Sequence, residues 1–257
     1  MTTRLWLKIQ LQSDTTFGRG DGSAGVVDDE VQHDRYGLPF ISGKTLKGLL
    51  GAECAEVMFA LAQTWQSDAH KLEHWRDAAQ FLFGEAGSGH SEASQMRVGD
   101  ARLPQDLRAK LVEEFRAAEN APNEKERARQ WGILRAANLN ALTALRRQTA
   151  MDAATGAPLD DTLRSMRVIL RDTVFFAALD FTTTLENVPA QVKPLLAASV
   201  ASFRRAGTGR NRGRGKLTAE LYDQDPVAPD ASTGLEPVSK LWMQTFAEEV
   251  RGASAHI

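Results

Sequence analysis

Apolar and polar residues alternate from Arg4 to Gln12, with Leu5, Leu7, Ile9 and Leu11 on one side and Trp6, Lys8 and Gln10 on the other. This period of two predicts a half-buried strand. The stretch FGRGDGSAG over 17–25 holds four glycines and predicts a loop. From Thr45 to Trp65 the spacing changes to three and four, with Leu46, Leu49, Leu50, Val57, Met58 and Leu61 recurring as on one helix face. A second helix is expected near Lys71–Phe83. A Gly- and Ser-rich loop over 84–95 and a short strand in MRVGDARL follow. Residues 104–147 read as mostly helical, broken near Asn120–Asn123. MDAATGAPLDD, from Met151, carries the Gly, Pro and Asp of a loop.

The rest of the chain returns to strands. RSMRVILRDTVFFAALDF, Arg164 to Phe181, predicts one or two strands; Val188–Ala206 predicts a helix, with Gly207 as its C-cap; Lys216–Tyr222 predicts a strand. Leu241, Trp242, Phe246 and Val250 mark a last amphipathic helix. The order of elements predicts an α+β domain with a helical insertion in its middle.

Composition narrows the class. The 257 residues are 42% hydrophobic and 25% charged, ordinary for a globular chain with a sizeable core. A single cysteine, Cys54, excludes an internal disulfide framework and a cysteine zinc site, and its apolar neighbours predict a core position. The start MTTRLWLKIQLQSD lacks a signal peptide's apolar run, and no stretch reaches the ~20 apolar residues of a membrane span, so a soluble, cytoplasmic protein is expected. The net charge of -2 gives no global sign of nucleic acid. Its distribution does: from Phe203 to Lys216 stand Arg204, Arg205, Arg210, Arg212, Arg214 and Lys216, with Asn211 among them and no acidic residue. Threaded through Gly207, Gly209, Gly213 and Gly215, these side chains suit close backbone approach to a polyanion.

GLPFISGKT, from Gly37, approximates a phosphate-binding P-loop, but five residues separate its glycines where that loop has four. Pro39 removes one N–H and stiffens the stretch. With VFFAALD ending at Asp180, it supports only a weak NTPase reading, and no nucleotide cofactor is expected. A helix opening at Gly43, Lys44 and Thr45, with Lys47 one turn in, still offers N–H groups and positive charge to a phosphate, which need not be a nucleotide's and suits a nucleic-acid backbone equally. His33 and Asp34 are neighbours that face opposite ways in an extended segment, and read as structural. Trp65, Trp75 and Trp131 read as core or partner surface. Tyr36, beside the glycine turn, is the base-stacking candidate.

Four segments together resemble one family. They are GVVDDEVQHDRYGLPFISGKTLKG from Gly25, FLFGEAGSGHSEASQMRVGDARL from Phe81, TAMDAATGAPLDDTLRSMRVILRDTVFFAALDF from Thr149, and RAGTGRNRGRGKL from Arg205. In this order they are similar to the RAMP superfamily of CRISPR-associated proteins, most of all the Csm- and Cmr-type backbone subunits of type III effector complexes. Ser42 stands where the family commonly has proline.

The resemblance implies a single RAMP domain over 1–257. It would have a ferredoxin-like (RRM-like) core, a mostly helical insertion at 53–147, a protruding hairpin at 148–163 and the glycine-rich basic loop at 203–216. It implies crRNA, target RNA and other RAMP or Cas subunits as partners, with no membrane. The RNA-binding residues would be Arg19, Lys44, Thr45, Lys47, Arg204, Arg205, Arg210, Asn211, Arg212, Arg214 and Lys216. Met151 and Asp152 would lie in the loop that interrupts the guide–target duplex. Target RNA would be cut by Asp28, or its neighbour Asp29, with a divalent metal, magnesium; the family pattern falls on Asp28, while Asp29 is one register step away. The competing readings are a non-catalytic RAMP subunit capping the guide's 5′ handle and the P-loop NTPase.

Overall fold

The computed structural model describes residues 3–18, 27–65, 69–84, 94–152, 154–157, 159, 162–226 and 235–254. Strand β1 (Thr3–Leu11) is the centre of the sheet, and its alternation is realised in full: Leu5, Leu7, Ile9 and Leu11 are wholly buried. β1 pairs antiparallel with β5 (Val174–Phe181) on one side and β6 (Leu217–Tyr222) on the other; β2 (Met96–Val98) adds to β5. The strand order is β2-β5-β1-β6. Helix α1 (Gly43–Thr64) joins β1 to β2, and α5 (Val192–Ser202) joins β5 to β6. This β-α-β-β-α-β path through an antiparallel sheet is the ferredoxin-like arrangement expected.

The helices cover one face of the sheet. Phe175, Ala177, Leu179 and Phe181 of β5 join the β1 side chains there, each large one contributing about 1.5–3 kcal/mol by leaving water. Helix α5 packs among α1, α2 (Ala69–Phe83), α6 (Val238–Ser254) and β6, so its residues are buried nearly all round. Cys54, Trp65 and Trp75 lie in this core. The opposite face is polar, with Arg4 on Asp180 at 2.6 Å and Lys8 near Glu220 at 3.6 Å.

Several boundaries differ from the sequence reading. The insertion does not begin at residue 53: α1, α2 and β2 belong to the sheet and its helical layer, and the added elements lie between β2 and β5. These are α3 (Gln105–Glu119), α4 (Glu124–Leu142) and a two-stranded sheet of β3 (Thr143–Gln148) and β4 (Arg164–Ile169). The helical reading of 104–147 overlooked β3, because TALRRQ favours helix locally and becomes strand by pairing with β4. Arg164–Phe181 forms two strands, turning at Asp172 with φ 66. The helix expected over 188–206 spans only Val192–Ser202, and Phe203 occupies its C-cap in place of Gly207. The strand expected in MRVGDARL ends at Val98, with single bridges at Ala101 and Arg102 beyond it. Among the described residues no helix is long and apolar enough to cross a membrane.

One buried ion pair ties the segment after the glycine loop to this scaffold. Glu30 and Arg167 meet at 2.9 Å with side chains only 6% and 10% exposed. Arg167 also donates to Asn140 Oδ1 and Thr143 Oγ1, each at 3.2 Å, and Glu30 Oε1 accepts the Val31 N–H at 3.0 Å. The pair thus fastens residues 27–31 to β4 and to the end of α4. Removing one partner strands the other charge away from water. Glu30→Ala is expected to cost about 3–5 kcal/mol in urea unfolding, and Glu30→Leu with Arg167→Met to recover most of it.

Candidate nucleic-acid interface

Residues 27–31 read V-D-D-E-V. Val27, Glu30 and Val31 turn inward, which leaves Asp28 and Asp29 exposed beside β4. Asp28 donates its N–H to the Ser165 carbonyl at 3.0 Å. Its Oδ2 accepts from the Ser165 N–H at 2.7 Å and from Ser165 Oγ at 3.3 Å. Asp29 bridges to Met166, and its carbonyl accepts the Arg167 N–H at 2.9 Å. Among the described residues the Asp29 carboxylate has no hydrogen-bond or ion-pair partner. Both candidate aspartates therefore stand beside the end of β4 nearest the hairpin loop, where Ser165 and Met166 pair with Arg147 and Arg146 of β3.

The basic loop lies across the segment that follows β1. Thr15 pairs with Ile169 of β4 and Thr16 with Thr208, so residues 13–18 bridge the hairpin and the loop. Thr15 Oγ1 donates to the Ala206 carbonyl at 3.0 Å, and Lys216 N–H donates to Ser13 Oγ at 2.9 Å. Two glycines are dictated by contact. At Gly207, φ 83, a Cβ would sit 2.5 Å from Thr15 Oγ1; at Gly215, φ 70, it would sit 1.9 Å from the Ala206 carbonyl oxygen. Arg210–Arg212 form one 3-10 turn between Gly209 and Gly213.

The loop's charges are presented outward. Arg204, Arg205, Arg210, Asn211, Arg212 and Lys216 are exposed and Arg214 half-buried. Arg205 donates to the Arg210 carbonyl at 2.9 Å, which braces the loop from within. Arg214 donates to the Met166 sulfur, next to Asp29's bridge, so this one arginine links the basic loop to the aspartate edge. Arg19 and Gly25 lie outside the described residues, as do residues 85–93 of the second motif.

The start of α1 departs from the expectation. Ser42 caps it, its Oγ accepting the Thr45 N–H at 3.3 Å. The Gly43 N–H donates to Asp100 Oδ1 at 3.0 Å. The Asp100 carboxylate thus takes the Gly43 N–H, and Ser42 takes that of Thr45. Burial pushes the Asp100 carboxyl up, but the Gly43 N–H and Arg102 outweigh it and hold the carboxyl below its ordinary range. Lys44 and Thr45 are exposed, while burial lowers the Lys47 ammonium. Farther along α1, burial and Glu56 raise the Glu53 carboxyl, and Arg210 and Arg204 of the basic loop oppose them.

At the hairpin tip, Asp152 folds back on its own loop. Its Oδ1 accepts from the N–H groups of Ala154 at 2.9 Å and Thr155 at 2.8 Å, which holds its carboxyl low. Asp152 therefore shapes the tip, whereas Met151 is 56% exposed and free to touch a partner. His33 and Asp34 are engaged in their own turn, and Tyr36 stacks in an aromatic group with Phe115 and Trp131. Sequence reading missed Ser165, Met166, Glu30 and Arg167, whose roles appear only through pairings more than a hundred residues apart in the chain.

The model of the RAMP superfamily matches residues 8–218. The chain belongs to the RAMP superfamily. No curated protein matches it in sequence. Among solved structures, this RAMP chain resembles a chain of type III-B Cmr-beta bound to cognate target RNA, at 13% identity and TM-score 0.52, over 85% of this chain and 96% of that one. It also resembles a chain of type III-B Cmr-beta in the apo state, at 14% identity and TM-score 0.54, over 90% and 99%. At such identity these likenesses show a common fold. In this RAMP fold the glycine-rich loop is a fixed structural part: Gly215→Ala is expected to destabilise the chain by at least about 1–3 kcal/mol in urea unfolding, because it must move backbone and strain φ.

Proposed function

We propose that this RAMP protein is a crRNA-binding backbone subunit of a type III CRISPR interference complex and that it cuts complementary target RNA. What supports the reading is Asp28 and Asp29 together: exposed, beside the end of β4 nearest the hairpin loop, and joined to the basic loop through Arg214 and Met166. Arg204, Arg205, Arg210, Arg212 and Lys216 supply an exposed arginine-rich face for phosphates, while base pairing with the guide supplies sequence specificity. The exposed Met151 on the hairpin suits an apolar wedge between base pairs.

Asp28 is the better placed of the two carboxylates. Ser165 holds one of its oxygens, which fixes the side chain and leaves the other oxygen available. In this reading it orients or deprotonates a target 2′-hydroxyl. The 2′-oxygen forms a bond to the adjacent phosphorus, the bond from phosphorus to the 5′-oxygen breaks, and water protonates the leaving oxygen. The products are a 2′,3′-cyclic phosphate and a 5′-hydroxyl.

Among the described residues no three His, Cys, Asp or Glu side chains converge. Two exposed carboxylates nevertheless suit magnesium, which is commonly held by one or two carboxylates, substrate phosphates and water. Asp28 and Asp29 would hold it, and when bound it would supply neutralisation of the phosphate charge.

One observation favours the non-catalytic subunit that caps the guide's 5′ handle: the bond from Asp28 to the Ser165 backbone is also what a purely structural turn residue makes. In the assembled complex, Asp28→Ala is expected to lower target cleavage at least a hundredfold with guide binding intact, and Asp29→Ala to have the smaller effect. Unchanged rate and cut sites in both variants would remove both aspartates as the catalyst. Charge reversal of Arg210, Arg212 and Arg214 together is expected to weaken RNA binding at least tenfold and to flatten its dependence on salt, measured by anisotropy across a salt series.

A further inference from the structure

The turn at 32–40 folds against α4 and encloses a cleft of about 660 Å³ lined by Gln32, His33, Arg35, Phe40, Trp131 and Arg135, among others. Its walls are fixed to each other. Asp34 Oδ1 accepts from the N–H groups of Tyr36 at 2.9 Å and Leu38 at 3.1 Å, and Asp34 Oδ2 lies 3.6 Å from Arg108 of α3. Asn138 of α4 donates to the Tyr36 carbonyl at 3.1 Å. Gly37 comes so near α4 that a Cβ would sit 2.3 Å from the Arg135 carbonyl oxygen. The cleft is therefore preformed.

Its chemistry is that of planar surfaces with a polar edge: Phe40 and Trp131 are its lining aromatics, and Tyr36 and Phe115, off the lining, brace Trp131 at 5.7 Å and 4.9 Å and pack edge-on to each other at 5.0 Å. The exposed Arg35 lays its guanidinium over Tyr36, 4.6 Å from the ring centre, donates to the Tyr36 hydroxyl, and stands 6.0 Å from the Trp131 ring. Gln32 Oε1 accepts the Ser42 N–H at 3.3 Å, which leaves its amide nitrogen as a donor. His33 Nδ1 lies 3.0 Å from the Asp34 carbonyl. A carbonyl only accepts, so Nδ1 carries the proton and Nε2 of the neutral ring is an acceptor. The one carboxylate on the lining, Asp34, is matched by Arg108, whereas Arg35 and Arg135 are exposed cations.

We infer that this cleft receives a single unstacked base of bound RNA, an inference that rests on the RNA-binding reading above. Aromatic and guanidinium planes with hydrogen-bonding groups at their edge are what single-stranded bases stack on and pair with, and the two arginines suit the flanking phosphates. His33 is four residues from Asp29, within about 13 Å along the chain, so a strand passing the aspartates reaches the cleft within a few nucleotides.

The test uses the full chain and short single-stranded RNA containing 4-thiouridine, with photo-crosslinked peptides mapped by mass spectrometry and affinity measured by anisotropy. Crosslinks are expected on the peptides of Phe40 and Trp131. Arg35→Ala and Arg35→Lys, both at an exposed position, should abolish them and weaken binding by about fivefold or more. Wild-type affinity and crosslinking in Arg35→Lys would mean a phosphate contact and overturn the base assignment. RNA binding with crosslinks only elsewhere would overturn the cleft while leaving the RNA-binding reading intact. A wild-type chain that binds no RNA at low salt would remove both.

Discussion

Everything at the candidate site depends on the ion pair of Glu30 and Arg167. Ions taken from water need compensating partners, and those of Arg167 come from the early segment at Glu30, the end of α4 at Asn140 and the start of β3 at Thr143, although its Nε makes no aligned hydrogen bond. That demand fixes register. With Glu30 drawn inward between buried Val27 and Val31, the two residues before it face solvent. The aspartates are thus exposed by a constraint acting on their neighbour, and their own carboxylates remain free of that duty apart from the bond of Asp28 to Ser165.

Acidic residues near this surface divide into those that build and those that are presented. Asp14 accepts Arg146 at 2.7 Å, Asp34 holds a turn, Asp100 caps α1 and Asp152 shapes the hairpin tip. Each of these already accepts from a guanidinium or a backbone N–H. Basic residues divide the same way: Arg167 is internal to the scaffold, while among the described residues the arginines between 203 and 216 form no ion pair with an acid, Arg204 and Arg210 acting only on the nearby Glu53. A chain with net charge -2 can still offer a positive face, because its basic residues between 203 and 216 are clustered with no acidic residue among them.

The local patterns that carried through were those set by burial on one face. β1 alternates because one side lies under helices, and α1 shows helical spacing for the same reason. The four motifs led to the fold, and the basic loop was visible from charge and glycine alone. What stayed hidden is non-local. β3 has the composition of a helix and becomes a strand only opposite β4. Asp100 accepts the Gly43 N–H from 57 residues away, a contact that GLPFISGKT itself does not announce. The end of α5 at Ser202 is likewise set by the loop's attachment to residues 13–16, and Gly207 serves that contact in place of a helix cap.

Helix α4 ends at Leu142 and β3 begins at Thr143, with no residue between them. Thr143 reaches back to the Leu139 carbonyl and so braces the junction. A joint without slack is a lever. The hairpin is one arm and the helix bearing Trp131 is the other, with Arg167 and Glu30 at the fulcrum. Asp28 is bonded to Ser165 and Glu30 to Arg167, so the strand that carries the hairpin also carries the anchorage of the aspartates.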